Sequence, residues 1–190
     1  MMDLNYIQTP LRNQTIEEQI KDFYLLNNKE RTYQHVLGVA MAAEKLALQY
    51  QEDIRACIVA ALLHDISAVI TPQDMMKIAN ELQWQLDSAE KIYPFLLHQK
   101  ISALIAYEYF QIRNLSILKA IESHTTLRSN PSKLDMIIFI ADKLAWDQPG
   151  EPPFKKNIEM ALNDSLEAAC YQYIKYQFDH DLLLLSLIHI

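Results

Sequence analysis

Only two glycines, Gly38 and Gly150, occur in the 190 residues of this chain, and nothing else in the sequence restricts its fold so sharply. Tight hairpin turns need residues at positive φ, which glycine supplies at little steric cost, so a sheet of several strands cannot be turned with this stock. The same scarcity removes two phosphate-binding devices, the G-x-x-x-x-G-K loop and the G-x-G-x-x-G fingerprint. Helices remain. Hydrophobic residues make up 51% of the chain and charged residues 22%, enough apolar material for one buried core and no sign of wholesale disorder. The length suits one domain.

Helix starts can be read along the chain. Thr15 and Glu18 form a capping-box pattern for a first helix ending near Asn27. Val36, Val39, Ala43, Leu46, Ala47 and Tyr50 recur at three- and four-residue steps, which predicts an amphipathic helix over 30–50. Asp53 then caps a nearly all-apolar stretch over 54–66, rich in Ala and Leu, that reads as a central buried helix ending in His64-Asp65. Thr71-Pro72 opens the next helix, Ser88 begins a segment leading to His98, and Asn114 starts one ending near His124. Ser132 and Asp135 repeat the capping box before the run to Ala145, and a single last helix is expected from about Phe154 to His180. The expected division is an N-terminal segment and first helix over 1–29, a core over 30–145, a C-terminal loop and helix packing on it over 146–184, and a tail over 185–190. That tail, LSLIHI, is also what one frame of a common sequencing adapter encodes, so it reads as non-native, with an ordinary apolar C-terminus that docks on the domain as the alternative; either way His189 gets no functional weight.

A net charge of −7 with scattered basic residues argues against a nucleic-acid surface. Cys57 and Cys170 make no C-x-x-C pattern and read as a buried, reduced pair. The first residues lack a basic-then-apolar signal pattern, and no apolar run approaches the ~20 residues of a membrane span, so the expected place is the cytoplasm, with no membrane partner.

His35, His64, His98 and His124 each fall inside or at the end of a predicted apolar helix. One such histidine is usually a core residue with a satisfied hydrogen bond. Four together, with Asp65 in the most apolar stretch and Asp142 in IIFIADKLAW, ask for a compensating cation, since a buried unpaired carboxylate costs several kcal/mol. Lys143 offers Asp142 a plain ion pair; a metal explains more of the set. Helix bundles build metal sites in this way, from inward-facing side chains on several helices. Four imidazoles and two carboxylates suit two divalent transition-metal ions.

The blocks RTYQH with VAMAAEKLALQY, AALLHDIS, AIESHTT and IIFIADKLA resemble, in content and order, the YqeK-like branch of the HD-domain superfamily, over about residues 31–145. The resemblance implies an all-α, single HD-domain helical bundle with a buried dinuclear site. It also implies symmetrical hydrolysis of diadenosine tetraphosphate to two ADP by a metal-activated water. Iron is the metal implied, with manganese the alternative. His35, His64, Asp65 and Asp142 would hold one ion, Asp65 would bridge to a second held by His98 and His124, and His64 and Asp65 would be the catalytic pair. The family's Lys after the HD pair, Gly after H-T-x and Glu-Pro-x-x-Arg stretch correspond here to ISAVI, TLRSN and AWDQPGEPPF.

Lys143, Arg128 and Lys133 are the candidate phosphate contacts, and Trp146 with its loop WDQPGEPP a candidate pocket wall. Solvated cations and a core aromatic are the plain alternatives. The expected partner is a nucleotide substrate, and a homodimer is left open. Two other functions stay in view: an HD-type nucleotide-binding regulator without turnover, and a di-iron oxygenase.

Overall fold

The computed structural model describes residues 7–10 and 14–180; the tail at 185–190, with His189, lies outside them. Among the described residues there are ten α-helices and no strand: α1 Ile16–Leu26, α2 Glu30–Tyr50, α3 Ile54–Leu63, α4 Pro72–Glu81, α5 Ser88–Ile92, α6 His98–Glu108, α7 Leu115–Glu122, α8 Lys133–Leu144, α9 Lys155–Ala161 and α10 Leu166–Asp179. Short 3-10 turns at Ile66–Val69 and Pro94–Leu97 connect some of them. The all-α expectation holds.

Side-chain caps set the helix starts. Thr15 with Glu18, Asp87 with Glu90 and Ser132 with Asp135 form complete capping boxes, and Asp53, Thr71, Asn114 and Ser165 each accept a first-turn backbone N–H. The glycine shortage is met at the loops: Asn28, Gln51, Gln83, Gln111, Leu127 and Asn130 take positive φ, a conformation that strains side chains other than Asn and Gly.

Two expected spans are corrected. The buried helix ends at Leu63, not 66, and a separate 3-10 turn follows Asp65. The single last helix is in fact α9 and α10, because the Ser165 hydroxyl accepts from the Ala168 N–H and so starts a new helix after a turn through Asn163 and Asp164.

Helix α3 is the axis of the bundle and packs against α1, α2, α6, α7 and α8. Ala56, Cys57, Ala60, Ala61 and Leu63 are buried on it, and small side chains let neighbouring helices approach closely. Cys57 and Cys170 are free and buried, and burial pushes both thiols up to about 12. Among the described residues no single helix is long and apolar enough to cross a membrane. What this packing leaves at the ends of α3, α6, α7 and α8 is a polar cluster.

Candidate metal centre

His64 follows the last residue of α3, His98 opens α6 after the 3-10 turn Pro94–Leu97, and His124 follows α7 by two residues. Carbonyls in a last helical turn have no intrahelical donor. His64 and His124 each supply one, and His98 makes the same bond to the 3-10 turn before it: Nδ1–H donates to the carbonyl three residues back, to Ala61 at 2.7 Å, Phe95 at 2.7 Å and Ile121 at 2.8 Å. That bond folds each ring over its own turn and leaves the lone pair on Nε2. His35, in the second turn of α2, and Asp142, in the last turn of α8, approach from the antiparallel pair α2 and α8, with Nε2 3.2 Å from Oδ1. Asp65 sits between, in the bend before Ile66.

All six side chains therefore converge. The ligand-capable atoms of His35, His64 and Asp142 lie within 4.8 Å of one another, as do those of His64, Asp65 and His124. Asp65 divides its oxygens: Oδ2 faces His64 Nε2 at 3.7 Å, whereas Oδ1 faces His124 Nε2 at 3.5 Å and His98 Nε2 at 3.9 Å. Two observations test whether the residues suit a cation. His64 Nε2 is buried with no hydrogen-bond partner and stands 3.7 Å from both Asp65 and Asp142, too long for a hydrogen bond. The Nε2 atoms of His98 and His124 are 3.1 Å apart although both Nδ1 atoms carry the hydrogens, and two lone pairs cannot bond each other. A cation between these donors satisfies both faults, and imidazole and carboxylate are suitable ligands for it. The Thr125 hydroxyl lies 3.0 Å from His98 Nε2, within hydrogen-bond reach, and the Thr125 N–H is held by Gln99 Oε1.

The electrostatics agree. Burial would keep His64 neutral, but Asp65 and Asp142 outweigh it and push the imidazole up to about 9. With Nδ1 committed to Ala61, the two carboxylates draw positive charge toward the Nε2 side of the ring. Burial and the neighbouring His124 bring His98 down to about 4, so it is neutral and able to coordinate at pH 7. Burial opposes ionisation of both carboxylates, yet His64, His124 and His98 hold Asp65 well below its ordinary range, and Lys143, His35 and His64 do the same for Asp142.

Asp65 and His35 also line a cleft of ≈310 Å³ open to solvent, together with Arg31, Thr32, Asp147 and Gln148. The four expected substrate contacts fare differently. Lys143 is close, but its ammonium is 2.5 Å from Asp142 Oδ2 and lies over the Phe139 and Tyr173 rings, so it holds a carboxylate of the cluster. Arg128 pairs at 2.6 Å with fully buried Asp135 and lines a different cleft, with Lys100 and Lys119. Lys133 is not brought to the cluster: it donates to the Tyr50 carbonyl, nine residues or about 13 Å along α8 from Asp142. Trp146 packs edge-on against Phe154 with ring centroids 5.8 Å apart, while its neighbours Asp147 and Gln148 face the cleft. Sequence reasoning missed Arg31 and Thr32, although positions four and three residues before His35 share its helix face.

Residues 32–147 match the HD domain family, and the chain belongs to that family. A Staphylococcus aureus protein named symmetrical bis(5'-nucleosyl)-tetraphosphatase is 33% identical over 150 residues, 77% of this chain and 75% of its own. An uncharacterized Lactococcus lactis protein is 40% identical over 118 residues, and the match spans 62% of this chain and 60% of that protein's length. The crystal structure of a Clostridium acetobutylicum protein, described as a predicted HD superfamily hydrolase involved in NAD metabolism, superposes with a TM-score of 0.77 at 29% identity, over 87% of this chain and 88% of that one. The resemblance drawn from the four sequence blocks is borne out by these matches.

Proposed function

We propose that this chain is a metal-dependent phosphohydrolase that cleaves diadenosine tetraphosphate symmetrically, adding one water across the central phosphoanhydride to give two ADP. The observation that carries the reading is the divided carboxylate: Asp65 offers Oδ2 toward the His64 side and Oδ1 toward His98 and His124, as a bridge between two ions would. His35, His64, Asp65 and Asp142 would hold one divalent ion and Asp65, His98 and His124 the other, with iron or manganese preferred over magnesium because imidazole is a poor ligand for a hard, oxygen-seeking cation. Bound there, such ions supply neutralising charge for a phosphoryl group and make water more acidic.

The chain's own residues do the rest. Backbone carbonyls at Ala61, Phe95 and Ile121 fix three imidazole orientations. Lys143 holds Asp142 ionised and in place. Asp65, whose side chain is 30% exposed while His64 is fully buried, is where the cluster meets the cleft. The polar cleft above it suits a phosphate chain better than a base. Support for the nucleotide comes from the name of the Staphylococcus relative.

The expected result with Fe²⁺- or Mn²⁺-loaded protein is ADP as the main nucleotide product from diadenosine tetraphosphate, resolved by ion-exchange chromatography. AMP plus ATP would contradict symmetrical cleavage. Absence of turnover with either metal would favour the nucleotide-binding regulator, and a strict need for iron with oxygen would favour the oxygenase.

A further inference from the structure

Arg31 precedes His35 by one helical turn on the same face of α2, and its guanidinium reaches across the cleft mouth to Asp147, Nη2 to Oδ2 at 3.6 Å. Among the described residues lining that cleft, Arg31 is the one fixed cation. Other basic side chains named above are committed elsewhere, Lys143 on Asp142, Arg128 on Asp135 and Lys133 on the Tyr50 carbonyl. The Arg31–Asp147 pair is long, and the arginine side chain is 75% exposed, so the contact is weak and screened by salt. A phosphate brings more charge and more acceptor oxygens to the same planar fork and can displace the carboxylate.

We infer that Arg31 sets the preference for linked phosphates: its guanidinium takes the phosphate next along the chain from the one seated at His35 and Asp65, and Asp147 competes with that phosphate for it. This rests on the phosphohydrolase reading for what occupies the deep end of the cleft. One turn of α2, about 5.4 Å, separates Arg31 from His35, so a single phosphate at the cluster does not engage the guanidinium, whereas the second of two linked phosphates does. The two partners of one ion pair thus have opposite effects on ligand binding, which a merely structural surface pair would not produce.

The test uses the Mn²⁺-loaded 190-residue chain and two probes that are not turned over, methylenediphosphonate and orthophosphate, with affinities from titration calorimetry. Arg31→Ala is expected to weaken methylenediphosphonate binding about tenfold and orthophosphate less than about twofold. Asp147→Asn is expected to tighten methylenediphosphonate binding about threefold. Equal loss for both probes in Arg31→Ala, or weakening in Asp147→Asn, would overturn the inference, as would wild-type protein that binds neither probe. Should Arg31→Ala fold poorly, Arg31→Gln and the sign of the Asp147→Asn effect decide. Opposite effects in a protein that does not cleave diadenosine tetraphosphate would sink the substrate reading and leave the role of Arg31 standing.

Discussion

Asp65→Ala is expected to lower hydrolysis by at least about 10³-fold while leaving the helical circular dichroism spectrum intact. The size follows from the position of the carboxylate. Its two oxygens face His64 on one side and His98 with His124 on the other, so on the proposed reading removal would take a ligand from both groups at once, along with a carboxylate that lines the cleft. The fold should survive, because the Asp65 carboxylate faces the cleft and removing it creates no apolar cavity in the core. His180→Ala is the control: its ring lies against Tyr176 near the end of α10, away from the cluster, and activity should stay near normal. Turnover by Asp65→Ala above a tenth of wild type would remove the carboxylate from the mechanism.

Phe139→Ala should have the largest effect on stability. Its ring is fully buried on α8, meets Tyr173 edge-on with centroids 5.5 Å apart, and lies 5.4 Å beneath the Lys143 ammonium. Truncating a buried phenylalanine costs about 3–5 kcal/mol in lost transfer energy and residual cavity, which for a chain of this length lowers Tm by roughly 10 °C. The cavity also loosens Lys143, and with it the Asp142 carboxylate that Lys143 holds. Trp146→Ala, on a side chain that is 42% exposed, should cost about 1 kcal/mol or less. Urea unfolding of the two variants decides it, and near-equal losses would contradict the packing described here.

The two halves of this molecule differed in how plainly the sequence announced them. Helix starts at Thr15, Asp53, Thr71, Asn114 and Ser132 were legible because a short polar side chain before an apolar run has one local job, to accept a first-turn N–H. The break at Asn163-Asp164-Ser165 carries the same signal but is buried inside a run that keeps its helical period on both sides. The convergence of four histidines and two aspartates was legible from polar groups placed where only apolar ones are stable. Direction around a helix was not. Lys143 is the immediate neighbour of Asp142 and turns inward to it, Lys133 lies at the opposite end of the same helix, and Arg128 is drawn to the buried Asp135. Adjacency in sequence fixes none of these, since a long basic side chain follows the acceptor within its reach, a carboxylate for Lys143 and Arg128 and a backbone carbonyl for Lys133. Arg31 could have been found from its four-residue step to His35; its partner Asp147 comes from a loop and could not.

The most direct test of the two-ion centre is the metal content of purified protein after anaerobic loading with Fe²⁺ or Mn²⁺, measured by elemental analysis beside His98→Ala. Through its Nε2, His98 faces His124, Thr125 and the Oδ1 side of Asp65 and not the His35–Asp142 side, so the account predicts about two ions per chain in the wild type and about one in the variant. Folded wild-type protein that stays metal-free, or a His98→Ala variant that keeps the full wild-type content, would contradict it.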